Sequence, residues 1–329
     1  MSQVKNYLSL IKFSHTIFAM PFAMIGFFLG IAPVIDFDYR VSSLPGWHTT
    51  IHQGMGWGHR GGIDINDFLR DIQGIPMSAR DILLRLGLVI LCMIFARSAA
   101  MSFNRWLDAR FDALNPRTAI REIPAGIISR DSALRFVLFN CVAFIACTWC
   151  INPLCFGLSF VALTVVLGYS YTKRFTPLCH LVLGLGLSLA PIGAYLAVRG
   201  HFDLLPILFS LTVIFWVSGF DIIYALQDEE FDKTHQLYSM PSWLGKSRAL
   251  RVSEVLHVLS TACVVVAGAY GGFGWWYWAG VAVFLGMLIY QHAIVKPNDL
   301  SRVNLAFMTA NGIASVVFAI FVIADLFLN

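Results

Sequence analysis

The sequence predicts an all-α, polytopic membrane protein with about nine transmembrane helices around a central cavity. Three observations predict it. First, 58% of the 329 residues are hydrophobic and 13% are charged, with a mean hydropathy of +0.72, where soluble domains run at about 45–50% apolar and about 25% charged. Second, the apolar residues come in blocks of about 20, the length that crosses a bilayer. Third, Lys and Arg collect at alternate ends of those blocks, the asymmetry that orients a membrane protein.

Taken in order, the expected spans are 13–34, 82–103, 133–153, 155–172, 178–198, 204–226, 252–271, 274–294 and 304–328. Asn152-Pro153, Thr176-Pro177, Gly271-Gly272 and Lys296-Pro297 mark ends, because Pro and Gly interrupt a helix. The first run is too long for a cleavable signal peptide and lacks a small-residue cleavage site, so it reads as a span. One set of ends carries Lys5, Lys12, Arg105, Arg110, Arg117, Arg121, Arg130, Arg135, Lys173, Arg174, Lys233, Lys246, Arg248, Arg251, Lys296 and Arg302. The other carries only Arg40, Arg60, Arg70, Arg80 and Arg199. The richer side is expected to be cytoplasmic, with the N-terminus on it. Trp275-Trp276-Tyr277-Trp278 opens the eighth span on the far side, as an interfacial aromatic belt does.

The chain is expected to be one domain, 1–329, with a non-cytoplasmic insertion at about 35–81. Residues 64–72 of that insertion suggest a short helix lying on the membrane surface, and His48, His52 and His59 read as ordinary loop histidines. Cys147 and Cys150 have CxxC spacing in an apolar run with no acidic or histidine partner, so they read as small buried side chains. The net charge of +4 is too small to argue for nucleic acid.

Polar residues are concentrated in two places. Asn104, Asp108 and Asp112 are spaced by four, so they stack on one helix face. Asn115-Pro116 breaks that helix, and Arg117 and Arg121 follow. In the second cluster, Asp228 and Asp232 are again four apart, with Asp221 seven residues earlier on the same face. Both clusters fall at cytoplasmic span ends and are expected to converge on one cavity open to that side. Facing carboxylate pairs suit a hard divalent cation such as Mg²⁺, which takes oxygen ligands and bridges to phosphate. Arg117, Arg121, Lys173 and Arg174 suit the anion that Mg²⁺ brings. Two such clusters on one membrane side read as a diphosphate site, since ionisable groups in membrane helices mark function.

These residues resemble a known family. N-x-x-x-D-x-x-x-D-x-x-x-x-R-T-x-x-R-x-x-P-x-G, from Asn104 to Gly126, is similar to the first signature of UbiA-type intramembrane aromatic prenyltransferases. Y-A-x-Q-D-x-x-x-D, from Tyr224 to Asp232, is similar to the second. Tyr169-Ser170-Tyr171-Thr172-Lys173-Arg174, followed by Gly184, resembles the family's basic motif after its fourth span. The resemblance covers nearly the whole chain except the insertion. It implies transfer of a polyprenyl group from a polyprenyl diphosphate to an aromatic acceptor, with Mg²⁺ on the diphosphate. By it, Asn104, Asp108, Asp112, Asp228 and Asp232 are the metal and diphosphate set, and Arg117, Arg121 and Lys173 the diphosphate-contacting cations. Tyr169 matches a pocket tyrosine near the reacting carbon, and Lys12 lies where the family often has a basic residue. The motifs look most like the bacterial 4-hydroxybenzoate branch of quinone biosynthesis, with 1,4-dihydroxy-6-naphthoate of the menaquinone route as the alternative acceptor. That implies an integral protein of a bacterial inner membrane.

Elementary chemistry supports the same reaction. Metal and cations take up the charge of a departing diphosphate, and the allylic cation left behind needs a pocket poor in water with aromatic faces. Asp221, deeper on the second cluster's face, is a candidate base or acceptor-orienting group. Arg97, seven residues before Asn104 and about two turns deeper, is expected either to pair with Asp221 or to hold the carboxylate of an aromatic acid. An ion-coupled transporter would place its acids near the bilayer midplane in broken helices, and here they stand at span ends beside phosphate-suited cations. CDP-alcohol phosphotransfer would need Asp-Gly and Ala-Arg in one compact acidic motif, which the chain lacks.

Overall fold

The structure is a computed structural model and describes residues 3–11, 18–32 and 79–328. The expected span 13–34 is therefore seen only in part, and Lys12 and nearly all of the insertion lie outside the described residues. The described elements are α1 (Gln3–Leu10), α2 (Met20–Ile31), α3 (Ala79–Leu114), α4 (Arg130–Ile151), α5 (Pro153–Thr172) and α6 (Cys179–Arg199). They continue with α7 (Leu204–Ala225), α8 (Glu229–Thr234), α9 (Met240–Leu244), α10 (Lys246–Tyr270), α11 (Trp275–Ile294) and α12 (Asn311–Leu328). Among the described residues, eight helical stretches are long and apolar enough to cross a membrane, and α2 is a shorter apolar helix of 12 residues.

Polar side chains start the helices where the sequence changes character. Ser129 accepts the Ser132 amide at the head of α4, and Asn152 accepts the Cys155 amide at the head of α5. Gly200 closes α6 with φ +70°, a conformation only glycine adopts freely. Burial follows the logic of a lipid solvent. Phe139, Val142 and Trp149 of α4 and Val255 and Val258 of α10 are exposed large apolar side chains. A contiguous apolar exterior of this kind belongs against another apolar medium.

The interior is aromatic. Phe22, Trp216, Phe284 and Phe318 interlock where α2, α7, α11 and α12 meet. α7 is the central helix, packed against α6 on one side and α10 on the other. α3 pairs with α4, and α11 with α12. Two departures from the expected spans matter for the site. α3 runs 36 residues, well past 82–103, so the first acid cluster rides on the extension of a membrane helix. α7 ends at Ala225, and a tight turn (Leu226–Asp228) re-aims the chain before α8. The second cluster is thus not one continuous helix face.

Candidate functional site

The C-terminal ends of α3, α5 and α7 and the N-terminal end of α6 surround a cavity of about 280 Å³. Asn104, Asp108, Asp112, Asp221, Asp228, Arg97, Arg117, Arg121, Tyr169, Lys173 and Arg174 all line it. Asp232 does not. It is fully buried behind the wall, next to Lys173 and Ser239.

Each cluster carboxylate holds a cation from another segment. Arg121 donates to both oxygens of Asp112, at 2.7 and 2.9 Å. Arg174 reaches Asp108 at 3.2 Å, and Asn104 donates to the other Asp108 oxygen at 3.1 Å. Arg117 grips Asp228 through Nε at 3.1 Å and a second, shorter bond. Lys173 Nζ lies 2.7 Å from Asp232. Burial disfavours the Lys173 ammonium, but Asp232 outweighs it and holds the group above its ordinary value. The sequence pattern assigns the acids to the metal and the bases to the anion. The structure interleaves them, because like charges stacked four apart repel unless countered.

Three residues to which the sequence assigns no site role complete the arrangement. Asn115 lies in the helix-breaking Asn-Pro pair. Its Nδ2 donates to Asp228 at 3.3 Å and its Oδ1 accepts the Arg117 amide at 3.0 Å, so it ties the two clusters together. Tyr224 accepts from Arg117 at 2.9 Å. His180, the second residue of α6, is buried and its Nδ1 lies 2.6 Å from Asp221. A lone histidine at the head of an apolar run gives no signal until the α6–α7 contact is formed.

Asp221 was one of two expected partners for Arg97. It pairs with His180 instead, and Arg97 forms no ion pair among the described residues. Its Nε is buried with no hydrogen-bond partner. Arg97 stands at a junction. A second, apolar cavity of about 340 Å³ lies alongside, walled by residues such as Val89, Met93, Leu158 and Ala190. The two cavities share Arg97, Met101, Tyr169, Leu183 and Leu187.

A turn of π-helix, Leu305–Ala310, precedes α12 and sets Phe307 into the wall of the charged cavity. Its loosened carbonyls are taken by Asn311 Nδ2, which donates to Ala306 and Phe307 at 3.2 and 3.1 Å. Asn311 Oδ1 in turn accepts from Trp216 and Gln291, both at 2.9 Å. Phe307 packs against Tyr224 at 4.3 Å between ring centres, and against Phe18 and Phe220. Such turns are frequent at functional sites.

No three carboxylate, histidine or cysteine groups among the described residues form a closed metal cage. The donor set still fits a hard cation that keeps most of its water and needs only one or two carboxylates, as Mg²⁺ does.

The fold and the cavity together define an integral membrane protein with an acid- and base-lined site that shares a wall with an apolar chamber. More particularly, the chain belongs to the UbiA prenyltransferase family, whose model matches residues 77–313. It is 30% identical over 244 residues to the 4-hydroxybenzoate octaprenyltransferase of Nitrosomonas europaea, a match covering 74% of this chain and 82% of the relative. It is 29% identical over 223 residues to the enzyme of the same name from Aeromonas salmonicida, covering 68% and 76%. Among solved structures, the apo UbiA homologue from Aeropyrum pernix K1 is similar with a TM-score of 0.70 at 25% identity, covering 95% of this chain and 97% of that one. A UbiA homologue from Archaeoglobus fulgidus bound to DMAPP and Mg²⁺ shares the fold with a TM-score of 0.65 at 18% identity, covering 98% and 99%.

Proposed function

We propose that this protein transfers a polyprenyl group from a polyprenyl diphosphate to an aromatic acid of the 4-hydroxybenzoate kind, in quinone biosynthesis at the cytoplasmic face of a bacterial inner membrane. The observation that carries the reading is the shared wall of the two cavities. One substrate with a charged head and an apolar tail would lie across it, its reacting carbon near Arg97 and Tyr169. The relatives' names support the chemistry, and the Lys/Arg asymmetry supports the membrane side.

In this reading Asp108, Asp112, Asp228 and Asp232, with Asn104, hold Mg²⁺, although Asp232 must first turn out of its buried pocket. When bound, the divalent cation takes up charge that develops on the departing diphosphate. Arg117, Arg121, Lys173 and Arg174 bind the diphosphate oxygens as their carboxylates turn away, and Lys12 extends that set. The apolar chamber takes the prenyl chain and excludes water from the allylic cation. Tyr169, Tyr224 and Phe307 present aromatic surface to it. Arg97, half-buried with its Nε unpartnered among the described residues, takes the acceptor's carboxylate, a bidentate match that places the ring beside the reacting carbon. Asp221 accepts the ring proton.

The test is a product assay in detergent or lipid with Mg²⁺, a polyprenyl diphosphate, and either 4-hydroxybenzoate or 1,4-dihydroxy-6-naphthoate, read by mass spectrometry. A prenylated product that Asp108→Ala abolishes supports the reading and assigns the acceptor. No product from either acid, in folded protein that binds the diphosphate, refutes an aromatic acid acceptor of these two kinds.

A further inference from the structure

The His180–Asp221 contact lies in the wall of the cavity and is separate from the four carboxylate–cation pairs. His180 Nε2 accepts the backbone N–H of Met240 at 3.2 Å. A ring nitrogen that accepts carries no proton, so the single proton of the neutral imidazole sits on Nδ1. That Nδ1–H donates to Asp221 Oδ2 at 2.6 Å. The tautomer is therefore set by a backbone amide on one side and used on a carboxylate on the other, the arrangement by which a histidine's second nitrogen orients its first. His180 is 3% exposed, and both it and Asp221 line the cavity.

We propose that His180 is a positioning residue for the proton-accepting step. It holds Asp221 as a carboxylate with one oxygen occupied and the other turned to the acceptor ring. The inference rests on the transferase reading above. In that reaction the ring carbon gives its π pair to the prenyl carbon, and the C–O bond to diphosphate breaks with its pair going to the leaving group. The ring C–H pair then restores aromaticity, and the proton passes to the free oxygen of Asp221.

The same short turn reaches the other end of the site. Ser239, next to Met240, donates to the buried Asp232 at 2.8 Å. Two adjacent residues at the start of α9 therefore brace one acid that lines the cavity, through His180, and one buried behind its wall. The Met240 amide is free to serve His180 because it lies in the first turn of α9, where amides have no partner within their own helix.

The experiment compares wild type, His180→Ala, His180→Asn and Asp221→Asn, using acceptor deuterated on the ring. Asparagine keeps an N–H near the Nδ1 position but cannot reach Met240. His180→Ala is expected to lower kcat about 100-fold, the scale of a lost general base, with KM for the diphosphate within about threefold and a primary isotope effect that wild type lacks. His180→Asn is expected to recover at least about tenfold of kcat by restoring the donor. An Ala variant with wild-type kcat and no isotope effect overturns the proposal. So does an Ala variant whose loss Asn does not recover while both melt like wild type, because that marks a packing role. Loss of folding in the Ala variant leaves the Asn variant and Asp221→Asn to decide, and His180→Asn with kcat as low as Asp221→Asn also overturns it. If wild type makes no prenylated acid at all, the transferase reading fails first, separately from the role of His180.

Discussion

Arg117 Nε lies 3.1 Å from Asp228, while another nitrogen of the same guanidinium lies 2.9 Å from the Tyr224 hydroxyl. The pair bridges the loop after α3 and the turn after α7, so one cation joins the two acid clusters. In the proposed function, substrate loading would exchange these partners, carboxylate to metal and guanidinium to diphosphate. Arg117→Ala is expected to raise KM for the polyprenyl diphosphate about 10–100-fold, the loss of a charged hydrogen bond worth roughly 1.5–3 kcal/mol. Arg117→Lys should recover only part of it, because an ammonium has no planar fork. Steady-state kinetics at saturating acceptor makes the comparison.

The same exchange predicts coupled loading. Four carboxylate–cation pairs are formed, so in the proposed function Mg²⁺ alone would compete with them, and diphosphate alone would compete with the same pairs from the other side. Calorimetry is expected to find each ligand weak alone and tighter by about 5–150-fold when the other is present. Equal affinities with and without the partner ligand would contradict the exchange.

Arg97 stands where the charged and apolar cavities meet, with Nε unpartnered. Arg97→Gln is expected to raise KM for the aromatic acid about 10–100-fold and leave diphosphate affinity unchanged. An acceptor analogue with an amide in place of the carboxylate should be insensitive to the substitution. A parallel loss for both acceptors would assign Arg97 to packing instead.

α2 and α6 meet at Gly26, where an added Cβ would overlap the Pro191 carbonyl. Gly26→Ala must part the two helices and is expected to lower the thermal midpoint by several degrees, on the scale of the roughly 1–3 kcal/mol of an overpacked core. Gly286→Ala meets open space and should leave the midpoint unchanged. Melting both variants in the same detergent provides the check.

Between α6 and α7, His201 Nε2 lies 3.0 Å from Asp203. The Asp203 hydrogen bond raises His201 above its ordinary value; at Asp203, burial is outweighed by His201, and the carboxyl is held low. The His201 contribution to stability is complete below about pH 6.5 and fades as pH rises through its raised value. The Asp203 contribution is present above about pH 3.9 and fades as pH falls through its lowered one. His201→Gln should therefore lower the thermal midpoint most near pH 6, with the difference shrinking toward pH 9.

The amino-acid sequence by itself determined the helical, membrane-spanning class, the two acid clusters and the cations near them. Hydropathy blocks and spacings of four are local properties, and a lipid solvent leaves helices as the ready way to satisfy the backbone. Even the end of α3 was legible, at Asn115-Pro116. Only the tertiary structure decided which acid faces which base. It broke the second cluster at Leu226–Asp228, sent Asp232 behind the wall, and gave Asp221 to His180 rather than Arg97. The physical reason is that pairing depends on distances between segments more than a hundred residues apart, as with Arg117 and Asp228. A helical period carries no information about such distances until the helices are packed.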